Sequence, residues 1–213
     1  MAIKSFLALV SLFGVTAYAG TLLSFSGCNS AQAIDTSGTT AQAWSSASTL
    51  TNVSISVNVG GFNPGVTVTA WLMTAIGPGT TTTSQVATTT FTAPTVANFT
   101  SAPPATTVFS GLNLNPGTYY VVLNSTAGGF WEFCGTTAAT GVTYGGAQFA
   151  AGGINALFPP ASTFISNARA FDMQIVGTPA APVPALSGWA LLALAIGLAF
   201  VGFRLIRSTP IST

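Results

Sequence analysis

The chain contains no histidine, and its 213 residues carry only four basic and three acidic side chains. Each shortage excludes some chemistry. Without histidine, a serine nucleophile has no ordinary base beside it, and a cysteine pair has no histidine to complete a metal site. Lys4, near the N-terminus, is the only lysine. No basic patch exists to neutralise phosphates, so nucleic acid is excluded as a partner. No Asp-rich loop offers the carboxylates that calcium prefers, and neither a metal nor another cofactor is expected. Helical periodicity is also missing from Gly20 to Gly177, where apolar and polar residues alternate instead.

One catalytic option survives these absences: a carboxylate pair of the kind that hydrolyses glycosides, drawn from Asp35, Glu132 and Asp172. Glu132 falls between Trp131 and Phe133, so on a regular strand its side chain points away from both rings. The plainer reading is an exposed strand acid or a partner for Arg169. No cleft joining two of the three carboxyl groups is expected, and the chain is not read as an enzyme.

Alternation gives the body its class. Val53, Ile55, Val57 and Val59 face one way and Ser54, Ser56 and Asn58 the other, as in a half-buried strand. After the turn-forming Gly60–Gly65, Val66, Val68, Ala70 and Leu72 line one face of a strand and Trp71 and Met73 the other. Weaker strands are expected over Gln85–Thr92 and Thr106–Leu114, and the strongest over Gly117–Ser125, entered through an Asn-Pro-Gly turn. Phe130–Cys134 and Ala170–Val176 complete the set. Thr136–Asn167, rich in Gly, Ala and Ser, reads as long loops with one or two short strands. The sum is an all-β, single β-sandwich domain over 20–177, jelly-roll-like, followed by a Pro/Ala linker at 178–185.

The two ends carry addressing signals. Lys4, the apolar Phe6–Val15 and the small-x-small Ala17-Tyr18-Ala19 read as a signal peptide over 1–19, cut before Gly20. The alternative is an uncleaved signal anchor. At the other end, 186–207 holds an apolar run closed by Arg204 and Arg207. Leu186 to Phe203 as a helix would rise roughly 27 Å, close to a bilayer's hydrocarbon thickness. Trp189 stands at the interfacial position and the arginines on the cytoplasmic flank, which predicts one transmembrane helix.

Cys28 and Cys134 are the only cysteines, and in an exported chain such a pair is most simply a disulfide. It would close a loop of about 105 residues, for which chain entropy gives about 4 to 5 kcal/mol. The alternative arises from Phe25-Ser26-Gly27-Cys28, which faintly resembles a lipoprotein box with Cys28 as the lipidated terminus. Trp44, Trp71, Trp131, Tyr119, Tyr120 and Tyr144 could stack on sugar rings, although aromatics at strand spacing more often form core. Asn52, Asn98 and Asn124 each begin an Asn-x-Ser/Thr pattern of the sort a Ser/Thr-rich chain produces by chance. Thr80–Thr83 is a candidate for O-glycosylation.

Val183, Pro184, Leu186, Ser187 and Trp189, followed by the apolar run and the arginines, resemble the C-terminal sorting signals of bacterial surface proteins. The type is IPTLxxWG, related to PEP-type signals, with Val183, Ala185 and Ala190 replacing Ile, Thr and Gly. Within the body, the order of strands through PGTYYVVL to the aromatic strand at Trp131 loosely resembles the choice-of-anchor domains found ahead of such signals. The resemblance implies an exosortase-like processing enzyme as partner, with the membrane, and exopolysaccharide or another surface glycan as a candidate ligand. It implies a structural or adhesive protein of the cell envelope or extracellular matrix. A surface-displayed carbohydrate-binding module, more remotely a glycosidase, is the alternative. A plain single-span anchor is the alternative for the tail.

Overall fold

The computed structural model describes residues 19–35, 38–98, 103–138, 141–151, 153–167, 169–180, 195–196 and 198. Of the expected signal peptide only Ala19 is among them. Of the expected membrane helix only Ala195, Ile196 and Leu198 are, all three helical. Among the described residues no helix is long and apolar enough to cross a membrane.

Among the described residues from Gly20 to Pro179, strands dominate, with two short 3-10 turns at Thr82–Ser84 and Pro159–Ala161. The strands are β1 (Gly20–Ile34), β2 (Gly38–Ser46), β3 (Leu50–Val57), β4 (Val59–Gly61), β5 (Thr67–Met73) and β6 (Gln85–Thr92). There follow β7 (Thr106–Leu114), β8 (Gly117–Ser125), β9 (Gly129–Ala138), β10 (Val142–Ala151), β11 (Ile165–Asn167) and β12 (Met173–Pro179). Two six-stranded sheets result, in the orders β4-β9-β1-β12-β3-β7 and β11-β10-β2-β8-β5-β6. Every ladder in them is antiparallel. The protein is all-β.

The period-2 pattern explains which faces are buried. Val53, Ile55, Val57 and Val59 are fully buried, as are Val68, Ala70 and Leu72 across from Val121 and Leu123. These side chains, from both sheets, join Trp44, Trp131 and Phe171 in one hydrophobic core. Trp44 stacks on Tyr119 with ring centroids 5.2 Å apart, and the Tyr119 hydroxyl donates to the Asn115 carbonyl at 2.8 Å. That bond closes the Asn115-Pro116 turn from which β8 departs. Met73 is buried on the opposite face of its sheet, where Met73, Ala41 and Val122 form a small second cluster flanked by Trp71, Tyr120, Phe158 and Phe164.

A polar tie crosses the core. Gln42 on β2 is fully buried; its Oε1 accepts the Phe171 amide at 2.8 Å, and its Nε2 donates to the carbonyls of Ala43 and Gly145. It links the β2 sheet to the segment leading into β12 and sits where the β2–β10 register shifts between Tyr144 and Ala147.

Two stretches depart from the sequence reading. Thr136–Asn167 was expected to be mostly loop, yet it contains the ten-residue β10, paired with β2 over most of its length. Its Gly145 and Gly146 lower β-propensity but are needed for close approach. A Cβ on Gly145 would lie 2.9 Å from the Ala43 Cβ, and one on Gly146 would collide with the Asn167 carbonyl. At the C-terminal end, β12 runs through Thr178 and Pro179, and the Ala180 amide donates to Thr49 at 2.8 Å. The sheet thus reaches past the expected boundary at Gly177.

Candidate functional site

Three of the domain's carboxylates were candidates, and the fold brings two of them together. A closed ring of main-chain hydrogen bonds joins Asn58, Glu132 and Asp172. Asn58 N–H donates to Asp172 at 3.1 Å, Asp172 N–H to Glu132 at 2.7 Å, and Glu132 N–H to Asn58 at 3.3 Å. The ring forms at Asn58, the one residue between β3 and β4, while Phe171 and Asp172 lie alongside β9 just before β12 begins. The Asp172 carbonyl also accepts the Trp131 indole N–H at 2.7 Å, so both of its lone pairs are used. Trp131 stacks on Phe171 at 4.7 Å, and Phe133 meets Phe171 edge-on at 6.2 Å.

Glu132 points away from these rings, as alternation requires. It is nonetheless not the exposed acid or the Arg169 partner expected from sequence: it is 1 % exposed, and its Oε2 has no hydrogen-bond partner. Arg169 instead donates to Gln32 Oε1 at 3.2 Å and lies over the Phe133 and Phe149 rings. Next to Glu132 in the hydrogen-bonded ring, the Asn58 side-chain amide donates to the Pro103 carbonyl at 2.9 Å.

Burial and mutual repulsion shape the protonation of the pair. Asp172 is 9 % exposed, and its carboxyl is pushed up to about 7, first by burial and then by the Glu132 charge. Burial raises the Glu132 carboxyl as well. Near neutrality the two groups therefore hold a proton that ordinary carboxylates would have lost. Glycoside hydrolysis needs two carboxyl groups facing a groove that admits a sugar ring. This pair is enclosed. Asp35, the third acid, lies apart from it, beside a cavity of about 200 Å³ lined also by Gln32, Thr39, Thr40 and Phe149.

Trp44 and Trp131 are fully buried, and Tyr119 is buried against Trp44, so these rings are core. Tyr144 packs on the same core. Trp71 and Tyr120 are half-buried on the opposite face of the β5–β8 ladder. The Asn124 side-chain amide is already committed to the carbonyls of Asp35 and Gly38 and to Thr39 Oγ1. The Thr81 and Thr83 hydroxyls bond each other at 2.8 Å on an exposed turn.

The backbone also places the cysteines. β1 pairs with β9 at Ser26↔Gly135 and again at Ser30↔Phe133. Between these pairs, Gly27, Cys28 and Asn29 bulge opposite the single residue Cys134. Gly20, the expected first residue after signal cleavage, is the first residue of β1, with Ala17 outside the described residues. The sorting-motif residues Val183, Pro184, Leu186, Ser187 and Trp189 lie outside them too, as do Arg204 and Arg207.

Gln42 and Asn58 were not singled out by sequence. In the sequence Asn58 is one more polar position of an alternating run, like Ser54 and Ser56, and Gln42 carries no signal of its role. No protein-family model matches the chain, and no curated protein is significantly similar to it.

Proposed function

We propose that this chain is an exported bacterial surface or matrix protein, structural or adhesive in role, whose C-terminus is a sorting signal. The observation that carries the reading is the order of its parts. A leader-like start precedes an all-β unit with few charges, and Val183-Pro184-Ala185-Leu186-Ser187-Gly188-Trp189, an apolar run, Arg204 and Arg207 follow. The two sheets about one core are read as a jelly-roll-like sandwich that stands outside the membrane. The tail spans the membrane until an exosortase-like enzyme reads Pro184, Leu186, Ser187 and Trp189. Cys28 and Cys134, opposite one another across β1 and β9, are read as its disulfide. The enclosed carboxyl pair and the absence of histidine support a non-enzymatic role.

Replacing Pro184 and Trp189 together tests the signal. The double variant is expected to stay membrane-retained and uncut while its apolar run still inserts. Maturation and surface arrival indistinguishable from wild type would leave a plain anchor.

A second reading has one observation in its favour. Trp71 remains half-exposed beside Thr69 and Thr88, a polar setting in which an indole can stack on a sugar. Retention of the protein on exopolysaccharide, lost in Trp71→Ala, would support a carbohydrate-binding module.

A further inference from the structure

Sheets of this kind have four edges, and an edge strand offers unpaired amides and carbonyls to any other strand. Three of the four edges here are blocked. β4 is covered by the segment after β6: Gly61 N–H donates to Pro94 and Val96 N–H to the Gly61 carbonyl, both at 3.0 Å. β11 is three residues long, too short to template a partner. β7 is irregular, with three register shifts against β3 and a left-handed Gly111 at φ 68°, features that twist an edge away from pairing.

β6 has only one of these devices, a single register shift against β5 between Leu72 and Met73 that leaves Val86 as an extra residue near its start. Its ladder with β5 runs without a shift from Thr67↔Thr92 to Leu72↔Ala87. Its sequence, QVATTTFT, contains no charge and no proline, and five of its eight residues are β-branched. Among the described residues, no backbone bond reaches Val86–Thr92 from outside the β5 ladder.

We infer that β6 is a homotypic docking edge, at which a second copy of this chain adds its own β6 antiparallel to form a continuous twelve-stranded sheet. Charge selects the occupant. β5, β6 and β8 carry no ionic side chain. A second copy therefore meets no like-charge repulsion, and a charged partner finds nothing to pair with. Symmetry allows it: identical antiparallel strands about a two-fold axis are self-complementary. Side-chain parity restricts the register, because exposed residues must lie opposite exposed ones. An axis at Thr89 places Thr88 opposite Thr90 on one face, and Ala87 opposite Phe91 on the other, within the regular part of the strand. An axis at Thr88 keeps the same parity. The inference does not depend on export or sorting, since it is read on the purified chain.

The test is oxidative cross-linking of the full chain in detergent, comparing Thr88→Cys, Thr89→Cys and Thr69→Cys with wild type. Opposed residues of an antiparallel pair approach within about 4.5 to 5.5 Å between Cα atoms, which a disulfide can bridge. Thr69 on β5 lies one strand in, so its two copies are about 14 Å apart and out of reach. Disulfide-linked dimers are expected from Thr88→Cys or Thr89→Cys and not from Thr69→Cys, with wild-type protein sedimenting as a dimer. Far-UV circular dichroism confirms that each variant is folded. A monomeric wild type would overturn the inference, as would β6 variants that are folded but cross-link no more than Thr69→Cys. A dimer held by the apolar tail would give the second of these results.

Discussion

The main-chain amide of Asp172 donates to the carbonyl of Glu132 at 2.7 Å, so two residues 40 positions apart in sequence are fixed side by side with both carboxyl groups buried. Asn58 completes the ring, and Trp131 caps the Asp172 carbonyl at 2.7 Å.

That relationship sets a pH dependence. Asp172 titrates near 7 in the fold against an ordinary 3.8, so between these values the folded chain holds a proton that the unfolded chain has released. Its stabilising contribution is therefore complete below about pH 4 and is lost as pH rises through 7. A shift of about three units corresponds to at most about 4 kcal/mol. Urea unfolding from pH 4 to 8 should show stability falling with pH, and Asp172→Asn should flatten most of that slope. An equally steep slope in the variant would contradict the assignment.

Gln42 should be costly to replace. Gln42→Leu strands the buried Phe171 amide and removes the side-chain partner of the part-buried Gly145 carbonyl. An unsatisfied buried group costs about 1–3 kcal/mol, so a loss of about that size is expected by chemical denaturation. A change below about 0.5 kcal/mol would mean the bonds across the core contribute nothing net.

The cysteines make a third case. Mass spectrometry after alkylation without reductant should find Cys28 and Cys134 joined and unlabelled. Cys28→Ser with Cys134→Ser should lower stability by about 2–5 kcal/mol. Labelling of both thiols in the exported protein, or a lipid on Cys28, would contradict the bond.

Much of the fold was legible because alternation is a local property. β6, β7 and β8 run over the spans that period and turn residues indicate, and Val53 to Val59 are buried on the face their spacing selects. What was not legible depends on neighbours distant in sequence. β10 was hidden because Gly145 and Gly146 weaken its strand character while serving contacts with Ala43 and Asn167. The position of Glu132 on its strand was readable, but its burial was not, since it is set beside Asn58 and Asp172, both distant in sequence. The meeting of Glu132 with Asp172 follows from a sheet order that no short stretch encodes.

Export and sorting are the centre of the account, and the intact mass of the protein isolated from its native cell envelope or matrix tests both at once. The account predicts a chain beginning at Gly20 and ending near Pro184–Trp189, without Arg204 and Arg207, and two hydrogens lighter than the free dithiol. A mass equal to the full chain from Met1 to Thr213 would contradict it.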